Sequence, residues 1–123
     1  MKHSVISLML ILGLTMLSCA GIQFDREYEL NEGEEFVINL KTNPATGYTW
    51  SITQGLADSL ITLQAEEYVP RKNPSGKPRL GAGGTKKWHF RAEKPGKTTL
   101  KFVYKRPGTE ETRETRYFQI RVK

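Results

Sequence analysis

Six stretches of this chain alternate apolar and polar residues with a period of two, and no window of twelve residues carries a sustained helical stripe. Phe36, Ile38 and Leu40 alternate with Val37, Asn39 and Lys41, and Tyr48, Trp50 and Ile52 with Thr49, Ser51 and Thr53. Ile61, Leu63 and Ala65 face away from Thr62, Gln64 and Glu66, as Trp88, Phe90 and Ala92 do from Lys87, His89 and Arg91. Leu100, Phe102 and Tyr104 repeat the pattern, Phe118, Ile120 and Val122 close it, and a seventh segment lies near Tyr28 and Leu30. Such alternation sends one face of each segment to a core and the other to water, which reads as half-buried strands.

Polar turns separate the segments: Asn31 with Gly33, Asn43 with Pro44, Pro95 with Gly96, Pro107 with Gly108. Seven short strands in about 100 residues predict an all-β, immunoglobulin-like antiparallel sandwich with Trp50 at its centre. A small closed barrel has the same periodicity.

The first twenty residues are of another kind. Lys2 and His3 precede an apolar run over residues 5–17, too short for a bilayer span of about 20 residues and fitted to a secretory signal. Leu17, Ser18, Cys19 and Ala20 resemble the bacterial lipoprotein signal, in which the Cys is acylated and becomes the new N-terminus. Ordinary cleavage after Ala20 is the alternative, but Cys19 is the single Cys of the chain and stands where acylation needs it. The division expected is a signal segment with its anchor Cys over residues 1–19 and one domain over 20–123. The product is exported: membrane-anchored through Cys19, or otherwise periplasmic or secreted.

One Cys excludes an intramolecular disulfide framework and a Cys-rich zinc site. Without Lys2 the chain keeps 18 Lys and Arg against 13 Asp and Glu, a net +5. Those cations are scattered and no nucleic-acid signature accompanies them, so no nucleic-acid partner is expected. The alternating charges over 109–116 read as the solvated face of a hairpin. His89 lies on a polar strand face and has no other His or any Cys in the domain to share a metal, and no Gly-x-Ser-x-Gly elbow is present. An enzyme is the class least expected, no cofactor or metal is implied, and nothing demands more than a monomer.

One connection, residues 70–84, is long, with three prolines, four basic residues and Gly76, Gly81, Gly83 and Gly84. Segments of that length without structure are usually functional or disordered. Three loops then form an ordered set: Asn43, Pro44, Ala45, Thr46, Gly47 and Tyr48 before the Trp50 strand; Gly81, Ala82, Gly83 and Gly84 before the Trp88 strand; Arg106, Pro107 and Gly108 after Tyr104. This set resembles the chagasin family of cysteine protease inhibitors, with its NPxTGY-type, GxGG-type and RPW-type loops, over residues 36–122. The resemblance implies an immunoglobulin-like sandwich that inhibits papain-like cysteine proteases reversibly, wedging three loops from one end into the active-site cleft.

On that reading Pro44 and Gly47 pre-shape the first loop and Thr46 sits at its tip, facing the catalytic Cys–His pair of the protease. The glycines at 81, 83 and 84 let the second loop approach a cleft wall, and Arg106 and Pro107 brace the other side. Two positions depart from the pattern: Ala45, where many members have Thr, and Gly108, where the third motif has Trp. Restoring Trp at 108 is therefore expected to tighten binding and leave the fold intact, unless Gly108 needs a positive φ that Trp does not easily adopt. The other function class is a cell-envelope binding or scaffolding module with the same sandwich and no protease target, for which Asn43, Pro44, Thr46 and Gly47 are ordinary turn residues.

Overall fold

The computed structural model describes residues 23–77 and 83–123. Its seven strands are β1 (Arg26–Leu30), β2 (Glu35–Thr42), β3 (Thr49–Gln54), β4 (Ile61–Pro70), β5 (Gly84–Ala92), β6 (Gly96–Lys105) and β7 (Thr112–Val122). They form a four-stranded sheet, β1-β7-β6-β3, and a three-stranded sheet, β2-β5-β4, which is a sandwich and not a closed barrel. Each alternating segment of the sequence falls on one of these strands. The ladders are antiparallel except β1–β7, which runs parallel, with Arg26 beside Phe118 and Leu30 beside Val122. Asp25 fastens the start of β1, accepting from the Tyr117 backbone N–H at 2.9 Å and from Arg116 at 3.2 Å.

The alternation sorts the side chains as expected: in β2 Phe36, Ile38 and Leu40 are buried while the residues between them are exposed. The centre of the core is Trp88, Phe90, Phe102, Ile38, Ile61, Leu100 and Ile120. Trp88 meets Phe102 edge-on with ring centroids 4.8 Å apart, and Phe102 meets Phe118 edge-on at 5.5 Å. Trp50, expected at the centre, instead closes the core near one end. Its strand begins only one residue earlier, so its ring lies 4.8 Å from Tyr104 and its indole N–H donates to the Lys41 carbonyl at 2.9 Å.

A bulge in β4 overturns the placement of Ala65. The β4–β5 register shifts between Leu63 and Ala65, which moves Ala65 to the exposed face and brings Glu66 opposite Trp88. The Glu66 carboxylate there accepts from the Trp88 indole N–H at 2.8 Å, satisfying the one polar atom of a fully buried ring.

In the 70–84 connection, the described residues 70–77, 83 and 84 carry backbone bonds that composition did not suggest. Pro70 and Gly84 are paired strand residues, Arg71 N–H donates to the Gly83 carbonyl at 2.9 Å, and Asn73 N–H donates to Lys77 at 2.7 Å. Backbone pairing thus continues past the last apolar residue, which side-chain patterning does not report.

Core burial outweighs surface charge in holding the fold. Each fully buried aliphatic or phenyl side chain stabilises by about 1.5–3 kcal/mol. The ion pairs, such as Arg121 with Glu29 and Arg91 with Glu93, are largely exposed and contribute about 0–1 kcal/mol each.

Candidate functional site

The ladders bring three connections to one end. Thr42, where β2 ends, pairs with Gly84, which also pairs with Pro70; Thr49 pairs with Lys105, which also pairs with Thr112. The 43–48, 71–83 and 106–111 segments therefore leave the same edge of the sandwich. The two sheets are joined there by the Asn43 backbone N–H, which donates to the Tyr104 hydroxyl at 3.2 Å.

The 43–48 segment is a closed knot of local bonds around a 3₁₀ turn, Pro44–Thr46. Asn43 caps it, its side-chain oxygen accepting from the Ala45 N–H at 3.2 Å. The Asn43 carbonyl accepts from both the Thr46 N–H at 3.1 Å and the Thr46 hydroxyl at 2.7 Å. Gly47, at φ +83°, ends the turn with its N–H on the Pro44 carbonyl at 3.0 Å. Pro44, Ala45, Thr46 and Gly47 are all exposed. Thr46 stands on the surface as expected, but its hydroxyl is turned inward and holds the loop.

Tyr48 ties this segment to the third. Its ring is buried, 5.5 Å from Tyr104, and its hydroxyl donates to Glu111 at 3.0 Å. The guanidinium carbons of Arg106 and Arg113 each lie 5.0 Å from the centroid of the same ring. Arg113 and Glu111 escaped the sequence reading because their alternating charges looked like a solvated face. The signal was in the hairpin: a short turn after Lys105 must return residues 111 and 113 beside the first loop.

In the 106–111 segment Pro107 and Gly108 are the central residues of a turn closed by the Thr109 N–H on the Arg106 carbonyl at 3.3 Å. Gly108 has φ +81°, the type II pattern that glycine serves. That is the positive φ on which the expected gain from Trp at 108 was conditional: a β-carbon there costs about 1–2 kcal/mol, to be set against the contact a ring would add.

Gly83 makes a close approach within the chain itself, at φ +73°. A β-carbon there would lie 2.5 Å from the Thr42 carbonyl oxygen and 3.2 Å from Asn43 Cβ, so the absent side chain lets the second connection abut the first. Gly84 is paired within β5, where a β-carbon would collide with the Val69 carbonyl. Gly81 and Ala82 lie outside the described residues, as does Cys19. His89 faces Glu67 at 3.4 Å on the exposed side of β5, remote from this end. No group of three or more His, Cys, Asp or Glu suited to a metal occurs among the described residues.

The chagasin family peptidase inhibitor I42 model matches residues 29–122. Chagasin of Trypanosoma cruzi is 32% identical over 95 residues, covering 74% of this chain and 82% of that protein. The crystal structure of the cysteine protease inhibitor EhICP2 from Entamoeba histolytica superposes with a TM-score of 0.68 at 24% identity, over 80% of this chain and 86% of that one. The Leishmania mexicana ICP gives a TM-score of 0.57 at 27% identity, over 86% and 95%.

Proposed function

This chain belongs to the chagasin family of peptidase inhibitors, and from that premise we propose how it acts: it blocks papain-like cysteine proteases reversibly by seating the 43–48, 71–83 and 106–111 segments in the active-site cleft. It is a protein inhibitor of cysteine proteases and not an enzyme.

The observation that carries this mode is the internal bonding of the 43–48 segment. A protease cleaves a backbone that runs extended through its cleft and offers a carbonyl to the nucleophile. Here the carbonyls of Asn43 and Pro44 are engaged inside a 3₁₀ turn, so the exposed backbone bends away from a substrate's path. Tyr48 and Gly83 fix the neighbouring segments against it, which lowers the entropy lost on docking. Thr46 at the crest blocks the cleft, with Asn43, Pro44, Ala45, Gly47 and Tyr48 holding its shape; Gly81, Ala82, Gly83 and Gly84 take one wall, and Arg106, Pro107 and Gly108 the other. Titration of papain with the mature chain tests this, the expected result being full, reversible inhibition.

We further propose that Cys19 is acylated and that the inhibitor is held at a membrane. The support is the signal-like segment before a lone Cys. Seven residue steps separate Cys19 from Arg26, so β1 would begin within about 25 Å of the anchor. The precursor should yield a product that partitions into detergent, at about 0.8 kcal/mol per buried CH₂. Cys19→Ala should yield a product that stays in the aqueous phase, and equal partitioning of the two would leave secretion after Ala20.

A further inference from the structure

The contact of two guanidinium groups with one ring is an arrangement that inhibition by loop shape does not require. Arg106 and Arg113 both stack on Tyr48 at 5.0 Å, and two like charges held on one ring repel. Among the described residues neither guanidinium has a carboxylate within ion-pair distance. The nearest comparison is Arg116 on the same strand as Arg113. It is bound by Glu114 and Asp25, and the hydrogen bond it donates to Glu114, ahead of the charges of Glu114 and Asp25, raises its pKa above the ordinary guanidinium value.

Glu111 reaches the same cluster and keeps its negative charge while accepting from the Tyr48 hydroxyl, but it makes no ion pair with either guanidinium. Lys41, Arg71 and Lys105 add charge at this end, and they too have no ion-pair partner among the described residues. Lys41 and Arg71 line a surface groove of about 400 Å³ beside the 43–48 segment. Glu110 and Glu111 do not balance these five cations.

We propose that Arg106 and Arg113, positioned by Tyr48, form a carboxylate-recognition pair, and that the target is a papain-like protease with an acidic residue on the cleft rim facing the β6–β7 turn. This rests on the inhibitor reading and adds the target's chemistry to it. Each guanidinium presents up to five N–H donors in a plane, a geometry suited to bidentate contact with a carboxylate. Contact with a buried ring holds both guanidinium groups near one place before the partner arrives, and the surplus positive charge at this end draws an acidic partner in. A membrane headgroup is the less suitable anion, because binding it would turn the inhibitory loops into the lipid.

The test compares association and dissociation rates of the mature chain, Arg113→Gln, Arg113→Lys and the Arg106→Gln/Arg113→Gln double variant. Each is measured with two inhibited papain-like enzymes, one acidic and one basic around the cleft, at about 0.05 M and about 0.5 M salt. With the acidic enzyme, association should slow by about tenfold or more at high salt, and Arg113→Gln should weaken binding by about tenfold. Arg113→Lys, which keeps the charge and loses the fork, should fall between. With the basic enzyme Arg113→Gln should change affinity less than about twofold. An equal loss with both enzymes would mean that Arg113 only supports the loop, and salt-independent association with inhibition intact would remove electrostatic recognition; either overturns the proposal while leaving the inhibitor reading in place. Absence of inhibition by the unmodified chain would instead defeat the inhibitor reading. Vesicles with about one-third phosphatidylglycerol should not bind residues 20–123, and binding lost in the double variant would reassign the pair to a lipid surface.

Discussion

Tyr48→Ala should weaken inhibition of papain by at least about 100-fold and lower folding stability by about 3–5 kcal/mol. The residue is 6% exposed, packs on Tyr104, and is the only side chain among the described residues that touches Arg106, Arg113 and Glu111 together. Its removal opens a cavity under the 43–48 turn and frees the third segment from the first. Domains of this size have about 5–15 kcal/mol of stability, so the variant should still fold at room temperature. Tyr48→Phe separates the ring from its hydroxyl. It keeps both stacked arginines, loses the Glu111 bond, and should cost about 1 kcal/mol of stability and about tenfold or less in inhibition. Urea unfolding and inhibition constants for the three forms check this. An Ala variant that inhibits like the unmodified chain would show that coupling between the segments is irrelevant to binding.

Thr46→Glu should reduce affinity for papain-like enzymes by about 3–5 kcal/mol, or roughly two to four orders of magnitude. Two effects act in the same direction. The Thr46 hydroxyl holds the turn through the Asn43 carbonyl at 2.7 Å, and a carboxylate has no proton to donate there. The crest would also carry an unpaired charge into a desolvated cleft. Thr46→Ser keeps the hydroxyl and should stay within a few-fold of the unmodified chain. Because the turn is exposed in the free protein, melting temperatures should differ little, so the loss reports the crest and its preformed shape and not global unfolding.

The strands were legible in the sequence because a two-layer sheet imposes period two on every element that faces the core. The rule failed at Ala65, where a bulge inverts the faces, and a bulge that buries no new apolar residue leaves no trace in the pattern. It also put Trp50 at the centre, since periodicity says which face a ring occupies and not how far along the sandwich it lies; Trp88 holds that position. At the site, turn chemistry correctly placed a preformed bend at Pro44 and Gly47. The partners of that bend were invisible: Tyr104, Glu111 and Arg113 are 56 or more residues away from Tyr48 and come to it only through the β3–β6 and β6–β7 ladders. Whether Gly108 sits at a positive φ was not legible either, because that is a property of the folded turn.

The central claim is that the loop end occupies a papain-like active site without being consumed. Papain titrated with the mature chain and left for many turnover times should remain inhibited in proportion to the complex formed. Dilution should restore its activity, and mass spectrometry should recover the inhibitor uncut between residues 43 and 48. A chain that fails to inhibit several papain-like enzymes at micromolar concentration, or that is cut within that segment as inhibition fades, would contradict the account and favour an envelope-binding module on the same sandwich.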